Sequence, residues 1–392
     1  MTITRRRFMA TTAAAAAGVT VFGGRAFAAL QAPSSPVTIT VADVAGNLAL
    51  TQAAMERYTA AKPEWASRIA FTKAPAPELP GKLRAQQAAG RVDIDLVLTG
   101  TDALSAGLDQ GIWTDLSPYM ADLPNLEGIY IPQAFKMQGM AKNHGVVVSY
   151  YPSGPLIEYM PDRVPTPPKT AEELLAWTKA NPNKFIYARP ANSGPGRTFL
   201  MGLPYLLGDS DPRDPEKGWE KTWAFLEALG QNVEYYASGT TQTMREFGEG
   251  TRDIVVSTTG WDINPRVLGT VPAEAEVGTL QGFHWVTDAH YMVVPKGVAP
   301  EKLAVLLDLM NFMLTPESQA YAYDEGYFYP GPAVKDVPLS MAPESSQAAI
   351  KEFGRPQYDE WIAGNPMEIP LDADKLVAAF RIWDERIGAK KG

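Results

Sequence analysis

The chain contains no cysteine. That absence excludes a disulfide framework and a thiolate-ligated metal. It also removes the residue to which a lipid anchor would be attached. Histidine is nearly as scarce, with only His144, His284 and His290. None of them falls in H-E-x-x-H spacing, and neither G-x-S-x-G nor S-x-x-K occurs. No local motif therefore assembles a nucleophile with its base. Gly282-Phe283-His284-Trp285 places one histidine among aromatics, the usual setting of a structural histidine. A cofactor motif is also absent. Beyond the N-terminus no segment approaches the roughly 20 apolar residues that a membrane span needs.

What is present begins at the N-terminus. Arg5-Arg6-Arg7 precedes Phe8-Met9, and an uncharged, Ala-rich stretch runs over 9–22. Ala26-Phe27-Ala28 supplies small residues where a signal peptidase cuts. A basic start, an apolar middle and an A-x-A end define a removable export signal over 1–28. The adjacent arginines resemble the twin-arginine class. The mature product is expected in the periplasm. Residues 1–28 hold four arginines and no acid, which leaves 31 basic and 44 acidic residues, a net charge of −13. Such a balance argues against nucleic acid and anionic lipid as partners.

Roughly 360 mature residues suit two lobes better than one core. Short β-type runs alternate with amphipathic helices, the pattern of α/β architecture with largely parallel sheets. Val37-Thr38-Ile39-Thr40-Val41 reads as the first strand, with a helix expected over 48–61. Further strands are expected over 69–71, 93–98, 146–150 and 185–188, and a helix over 79–89. Thr170-Ala171-Glu172-Glu173 has capping-box form. Leu303, Leu306, Leu307, Met310, Met313 and Leu314 share one helical stripe.

One pattern occurs twice. Gly90-Arg91-Val92-Asp93-Ile94 continues to Thr99-Gly100-Thr101-Asp102, and Gly250-Thr251-Arg252-Asp253-Ile254 continues to Thr259-Gly260-Trp261-Asp262. Both read as a helix stop, a strand, and a loop at that strand's carboxyl end. Open α/β sheets bind ligands at that edge.

The order of segments resembles the type II periplasmic solute-binding proteins of ABC importers. The likeness is carried by Val92-Asp93-Ile94-Asp95-Leu96-Val97-Leu98 followed by Gly107-Leu108-Asp109-Gln110-Gly111-Ile112-Trp113. Pro155-Leu156-Ile157-Glu158-Tyr159 with Pro161-Asp162-Arg163-Val164-Pro165 carries it further, as does Tyr291-Met292-Val293-Val294-Pro295 with Leu314-Thr315-Pro316-Glu317. Asn192-Ser193-Gly194-Pro195-Gly196-Arg197 and the block 283–295 look most like the YnjB-like branch. The resemblance implies an α/β, two-lobed fold of the periplasmic binding protein type II kind, each lobe a mixed, largely parallel sheet flanked by helices. It implies one lobe from 37–148 with 289–329 and another from 149–288 with 330–392. Chain crossings are expected near 147–151, 285–289 and 328–331. It further implies a monomer that passes a small polar organic solute to a membrane permease and its ATPase, with no catalysis and no cofactor.

Candidate contacts follow from residue chemistry. Asn192, Ser193, Gly194, Gly196 and Arg197 lie between a strand and a helix. Glycine allows close backbone approach there, and free N–H groups at a helix start suit an anion or a polarised oxygen. Asp43 and Asn47 follow the first strand, while Thr101, Asp102 and Asp262 end the repeated loops. Helix capping explains such residues equally well. Tyr151, Trp261 and Tyr329 could stack on a ring or a cation, whereas core packing suits Tyr150 and Tyr327 better. Arg197 among several acids fits a zwitterion, a hydroxylated compound or a small organic acid. Ferric ion or a metal chelate is the alternative cargo, because Tyr235-Tyr236 is a tyrosine pair, although it precedes a helix. A secreted hydrolase is weaker still.

Overall fold

The computed structural model describes residues 32–74 and 78–391. The export signal expected at 1–28 lies outside the described residues. Alternation of apolar and hydroxyl side chains makes Val37–Asp43 the first strand, β1, with Ile39 and Val41 fully buried. Its parallel neighbours are β2 (Ala66–Lys73) and β3 (Leu96–Thr99). β3 starts later than the sequence suggests. Asp95 gives its N–H to the Thr40 carbonyl at 2.9 Å, but its side-chain carboxylate, shared with Lys302 at 2.8 Å, takes the Thr40 N–H at 2.8 Å, and regular pairing begins at Leu96.

Two long strands complete this sheet and also leave it. β4 (Gly145–Gly154) and β9 (Trp285–Val293) pair antiparallel from Gly145↔Val293 to Gly154↔Val286. β9 takes β3 antiparallel at one end and β10 (Met367–Glu368) parallel at the other. A second sheet consists of β5 (Leu156–Tyr159), β6 (Phe185–Ile186), β7 (Ile254–Ser257) and β8 (Glu276–Gly278), in the order β6-β7-β5-β8. β5 follows β4 after a single residue, so the chain passes from one sheet to the other at Pro155. A bridge between Tyr150 and Gly331 adds a further link along β4.

Each sheet is mixed and carries helices, which gives two α/β lobes of the type II binding-protein kind. The first core gathers Ile39, Val41 and Leu98 with Leu306, Leu307 and Met310 from the helix Pro300–Met313. Ala333, Val334 and Val337 pack into this first core too. The second core gathers Phe185, Leu200, Trp219, Leu226 and Trp383. Burying large apolar side chains contributes about 1.5–3 kcal/mol each, so both lobes have their own driving force.

The capping box that the sequence suggests at Thr170 forms. Thr170 accepts from the Glu173 N–H at 3.1 Å, while Glu173 reaches back to the Lys169 N–H at 2.7 Å. The repeated motif folds the same way twice. Gly90 (φ +66°) and Gly250 (φ +77°) each follow a helix, in the left-handed region that glycine occupies freely. β3 then leads to the helix Thr101–Asp109, and β7 leads to the helix Thr259–Val267.

Candidate functional site

A cleft of about 580 Å³ opens between the lobes. Four helix starts reach its wall: Thr101–Asp109, Gly194–Leu206, Thr240–Gly248 and Thr259–Val267. The loop Val44, Ala45 and Gly46 ahead of the helix Leu48–Ala61 is a fifth element of the lining. Strand-then-helix order explains the convergence, because each helix begins where a chain segment leaves the cleft edge of a sheet. The first N–H groups of a helix lack intrahelical acceptors and carry partial positive charge. Among the described residues, no N-cap side chain takes these N–H groups at Gly100, Gly239 or Thr258. Ser193 does cap its helix, accepting from the Gly196 N–H at 3.1 Å, and its hydroxyl is 2.7 Å from that of Thr240.

The floor is a buried polar network centred on Asp288 of β9. Its carboxylate accepts from Thr101 Oγ1 at 2.8 Å, Tyr151 OH at 3.0 Å and Arg197 Nη2 at 2.5 Å. Burial pushes the Asp288 carboxyl up, but the Arg197 charge and these hydrogen bonds outweigh it and hold it below the ordinary carboxylate range. Burial pulls on Arg197 in the neutral direction, and Asp288 and Asp102 overcome it, so the guanidinium stays charged. Arg197 Nη1 also donates to Asp102 Oδ2 at 3.2 Å. Its buried Nε has no acceptor among the described residues.

His290 stands beside this network. Asn47 Nδ2 lies 2.8 Å from His290 Nδ1 and 3.1 Å from Ser149 Oγ. An amide nitrogen only donates, so Nδ1 accepts and the ring proton sits on Nε2. Burial lowers the His290 pKa against the opposing pull of Asp288 and Asp43, which keeps the ring neutral. His290 lines the cleft, and with Nδ1 taken the Nε2–H side is left for it.

One wall is aromatic. Tyr151 stacks on Phe328 at 4.7 Å, Phe328 meets Tyr327 at 4.1 Å, and Tyr327 meets Trp261 edge-on at 5.5 Å. Two glycines make room. A Cβ on Gly260 would fall 2.1 Å from the Phe328 backbone nitrogen, and one on Gly46 (φ +76°) would fall 2.7 Å from Tyr327 OH.

The structure distributes the residues suggested by sequence between the wall and the layers behind it. Asp102, Tyr151, Asn192, Ser193, Gly194, Arg197 and Trp261 line the cleft. Asp43, Asn47 and Thr101 stand behind it, each already occupied. Asp43 accepts from the N–H groups of Ala45, Asn47 and Leu48, Asn47 holds His290, and Thr101 holds Asp288. Gly196 packs against Ala188, whose carbonyl oxygen a Cβ would approach to 2.3 Å. Asp262 is fully buried and accepts from Arg266, Arg355 and Tyr358. Tyr329 packs towards Tyr358 with ring centres 6.3 Å apart. Tyr236 packs on Tyr187 and Trp383, and Tyr235 on Arg252, away from the cleft lining. Sequence reasoning missed Asp288, His290, Phe328 and the run Ser238-Gly239-Thr240-Thr241. The available signals were two polar residues inside an otherwise apolar strand, and a small polar run ahead of an amphipathic helix.

The family model for bacterial extracellular solute-binding proteins matches residues 53–352. This chain belongs to that family. Solved structures agree in fold. An ABC transporter protein of Clostridium perfringens superposes with a TM-score of 0.65 at 15% identity, covering 90% of this chain and 100% of the other. The periplasmic binding protein AfuA of Actinobacillus pleuropneumoniae gives 0.62 at 15% identity, covering 90% and 99%. AgtB of A. tumefaciens R10, solved with agropinic acid, gives 0.58 at 18% identity, covering 90% and 98%. No curated protein matches the chain. At such identities the structural likeness shows the fold alone. This solute-binding protein is therefore a type II periplasmic receptor of the ABC importer kind. The family is one of non-catalytic solute-binding proteins of the periplasm.

Proposed function

We propose that this protein captures a small polar organic solute between its two lobes and delivers it to the permease as a monomer. The observation that carries this reading is the cleft wall itself. Helix starts from both lobes meet there around one buried guanidinium, together with an aromatic wall. A ligand that touches both lobes favours the closed arrangement by the difference in its contacts to the two states. In this reading Asp102, Tyr151, Asn192, Ser193, Gly194, Arg197 and Trp261 touch the solute. Asp43, Asn47, Thr101 and Gly196 hold that wall in place, and Asp262 and Tyr329 act farther back. The lobes divide near residues 149, 289 and 329, with 333–337 kept on the first core. The sequence of 192–197 and of 283–295 supports membership of the YnjB-like branch. Fructose-6-phosphate and agropinic acid, bound by two of the structural relatives, illustrate the size of cargo this fold accepts. At 15% and 18% identity neither compound is transferred to this chain.

A thermal-shift screen of the purified mature protein against a library of small metabolites tests the reading. A true solute at 100 times its dissociation constant adds about 2.7 kcal/mol of stability and raises the melting temperature by several degrees. A library in which no small molecule moves the melting temperature, while ferric citrate does, would replace the organic solute with iron.

A further inference from the structure

The balance of charged groups in the cleft points to the charge type that it accepts. One guanidinium serves two carboxylates: Arg197 holds Asp288 at 2.5 Å and Asp102 at 3.2 Å. Asp288 is sealed, with 1% of its side chain exposed, but Asp102 keeps 22% exposure and faces the cleft. One Asp102 oxygen takes Arg197 and the other takes the N–H of Ala103 at 2.8 Å, which leaves lone pairs on both. Glu78 is a second carboxylate at the rim. His290 is neutral and adds no positive charge. This group of residues therefore has surplus negative charge, in a cleft that Trp261 and Tyr327 also line. It can hold a cationic group, and it repels a ligand that is only anionic.

A second set of lining residues has the opposite character. Ser193 and Thr240 hydroxyls, 2.7 Å apart, bring two helix starts together. The helix beginning at Thr240 has nine residues, and its first N–H groups lack an N-cap acceptor among the described residues. Independently, Arg197 is 5% exposed yet its Nε has no acceptor among the described residues, and it lies one turn from Ser193 on the same helix. A donor that is buried and unmet costs free energy until something accepts from it. These groups suit a carboxylate or phosphate. A ligand that is only cationic would leave them unmet.

Resting on the receptor reading above, we infer that the solute is a zwitterion. Its cationic group lies on Asp102 beside the Trp261–Tyr327 wall, and its anionic group lies at the Ser193–Thr240 helix starts. Binding is then a substitution. The solute presents a cation to Asp102 and an anion to the donors around Arg197, and no buried charge loses a partner.

Calorimetric titration of the wild-type protein decides this with four probe types. These are zwitterions (glutamine, γ-aminobutyrate, glycine betaine), a diacid (glutarate), a diamine (putrescine) and a neutral polyol (mannitol). At least one zwitterion binds at least tenfold more tightly than the diacid, diamine and polyol. D102N weakens that zwitterion about tenfold and leaves glutarate equal or tighter. If glutarate, putrescine or mannitol binds as well as the best zwitterion, the zwitterion assignment fails while the receptor reading stands. If the best zwitterion is unaffected in D102N that retains the wild-type circular dichroism, the placement of its cation fails. If no probe of any type binds, the zwitterion assignment fails, and the receptor reading is decided separately by the library screen.

Discussion

Arg197 donates to Asp102 at 3.2 Å although the two residues come from different lobes. The Arg197 helix buries Phe199, Leu200 and Met201 in the second core, and the Asp102 helix buries Leu104 in the first. The pair, with Asp288 behind it, is a polar seam between two otherwise apolar bodies. Removing one partner of a buried pair costs about 3–5 kcal/mol, because the other charge stays buried alone. Arg197→Met should therefore lower stability by about that amount and abolish solute binding. Chemical denaturation followed by tryptophan fluorescence measures the first effect, and titration measures the second. A variant that binds normally would remove Arg197 from the site.

The same substitution has a pH signature. In the wild type, Asp288 is held below its unfolded value, so its contribution is fully present above roughly pH 4 and is lost only as pH falls further. Without Arg197, burial dominates and the carboxyl takes up a proton at higher pH. The folded variant then binds more protons than its unfolded chain, and acidification favours it. The stability gap between wild type and Arg197→Met should narrow as pH falls from 7 to 5. A gap that is constant across this window would mean that Asp288 does not depend on Arg197 for its charge.

Much of this arrangement is written locally. β1, the helix Leu48–Ala61 and the caps at Thr170 and Ser193 depend on neighbours a few residues apart, and their patterns are plain in the sequence. The repeated motif also marks both strand–helix loops. Its two aspartates nevertheless have opposite fates. Asp102 faces the cleft, but Asp262 is claimed by Arg355 and Tyr358, which arrive from 93 and 96 residues away. Nothing local announces those partners. Asp288 and His290 were hidden for the same reason, since they sit in a strand and meet Arg197 and Asn47 only through the tertiary fold.

Gly260 tests the backbone side of the site. Its place against the Phe328 nitrogen allows no side chain, and the contact is with backbone that cannot rotate away. Gly260→Ala should cost about 1–3 kcal/mol by overpacking and displace the Phe328–Tyr327 wall. Melting temperature and solute affinity should fall together. Gly269→Ala is a useful contrast: its Cβ would meet nothing within 4 Å, so the cost is only that of its positive φ, about 1–2 kcal/mol, with affinity unchanged.

Trp261 should behave differently from both. It is partly exposed, lines the cleft and touches Tyr327 edge-on at 5.5 Å. Its loss removes a stacking surface for the solute but little of either core. Trp261→Ala is expected to weaken binding about tenfold, the equivalent of a cation–π contact of 1–2 kcal/mol. Stability without ligand should change by less than that. Equal losses in affinity and unliganded stability would assign Trp261 to packing.

Glu158 lies outside the cleft lining. It sits on β5, fully buried, with neither carboxylate oxygen hydrogen-bonded among the described residues. Burial, then the nearby charge of Asp262, drives its pKa well above the ordinary value, against the weaker pull of Ser257, Arg266 and Arg355. The folded protein therefore keeps a proton on Glu158 that the unfolded chain releases above about pH 4.3. By linkage, stability falls as pH rises through that interval. Glu158→Gln copies the protonated form and cannot lose a proton. The variant should match the wild type near pH 4.5 and become progressively more stable than it towards pH 7, by about 1.4 kcal/mol for each unit of the shift traversed. Denaturation midpoints at pH 4.5, 6 and 7 measure this directly. A variant that is less stable than wild type at pH 7 would mean that Glu158 is ionised in the folded protein and paired with the arginines of the Asp262 cluster.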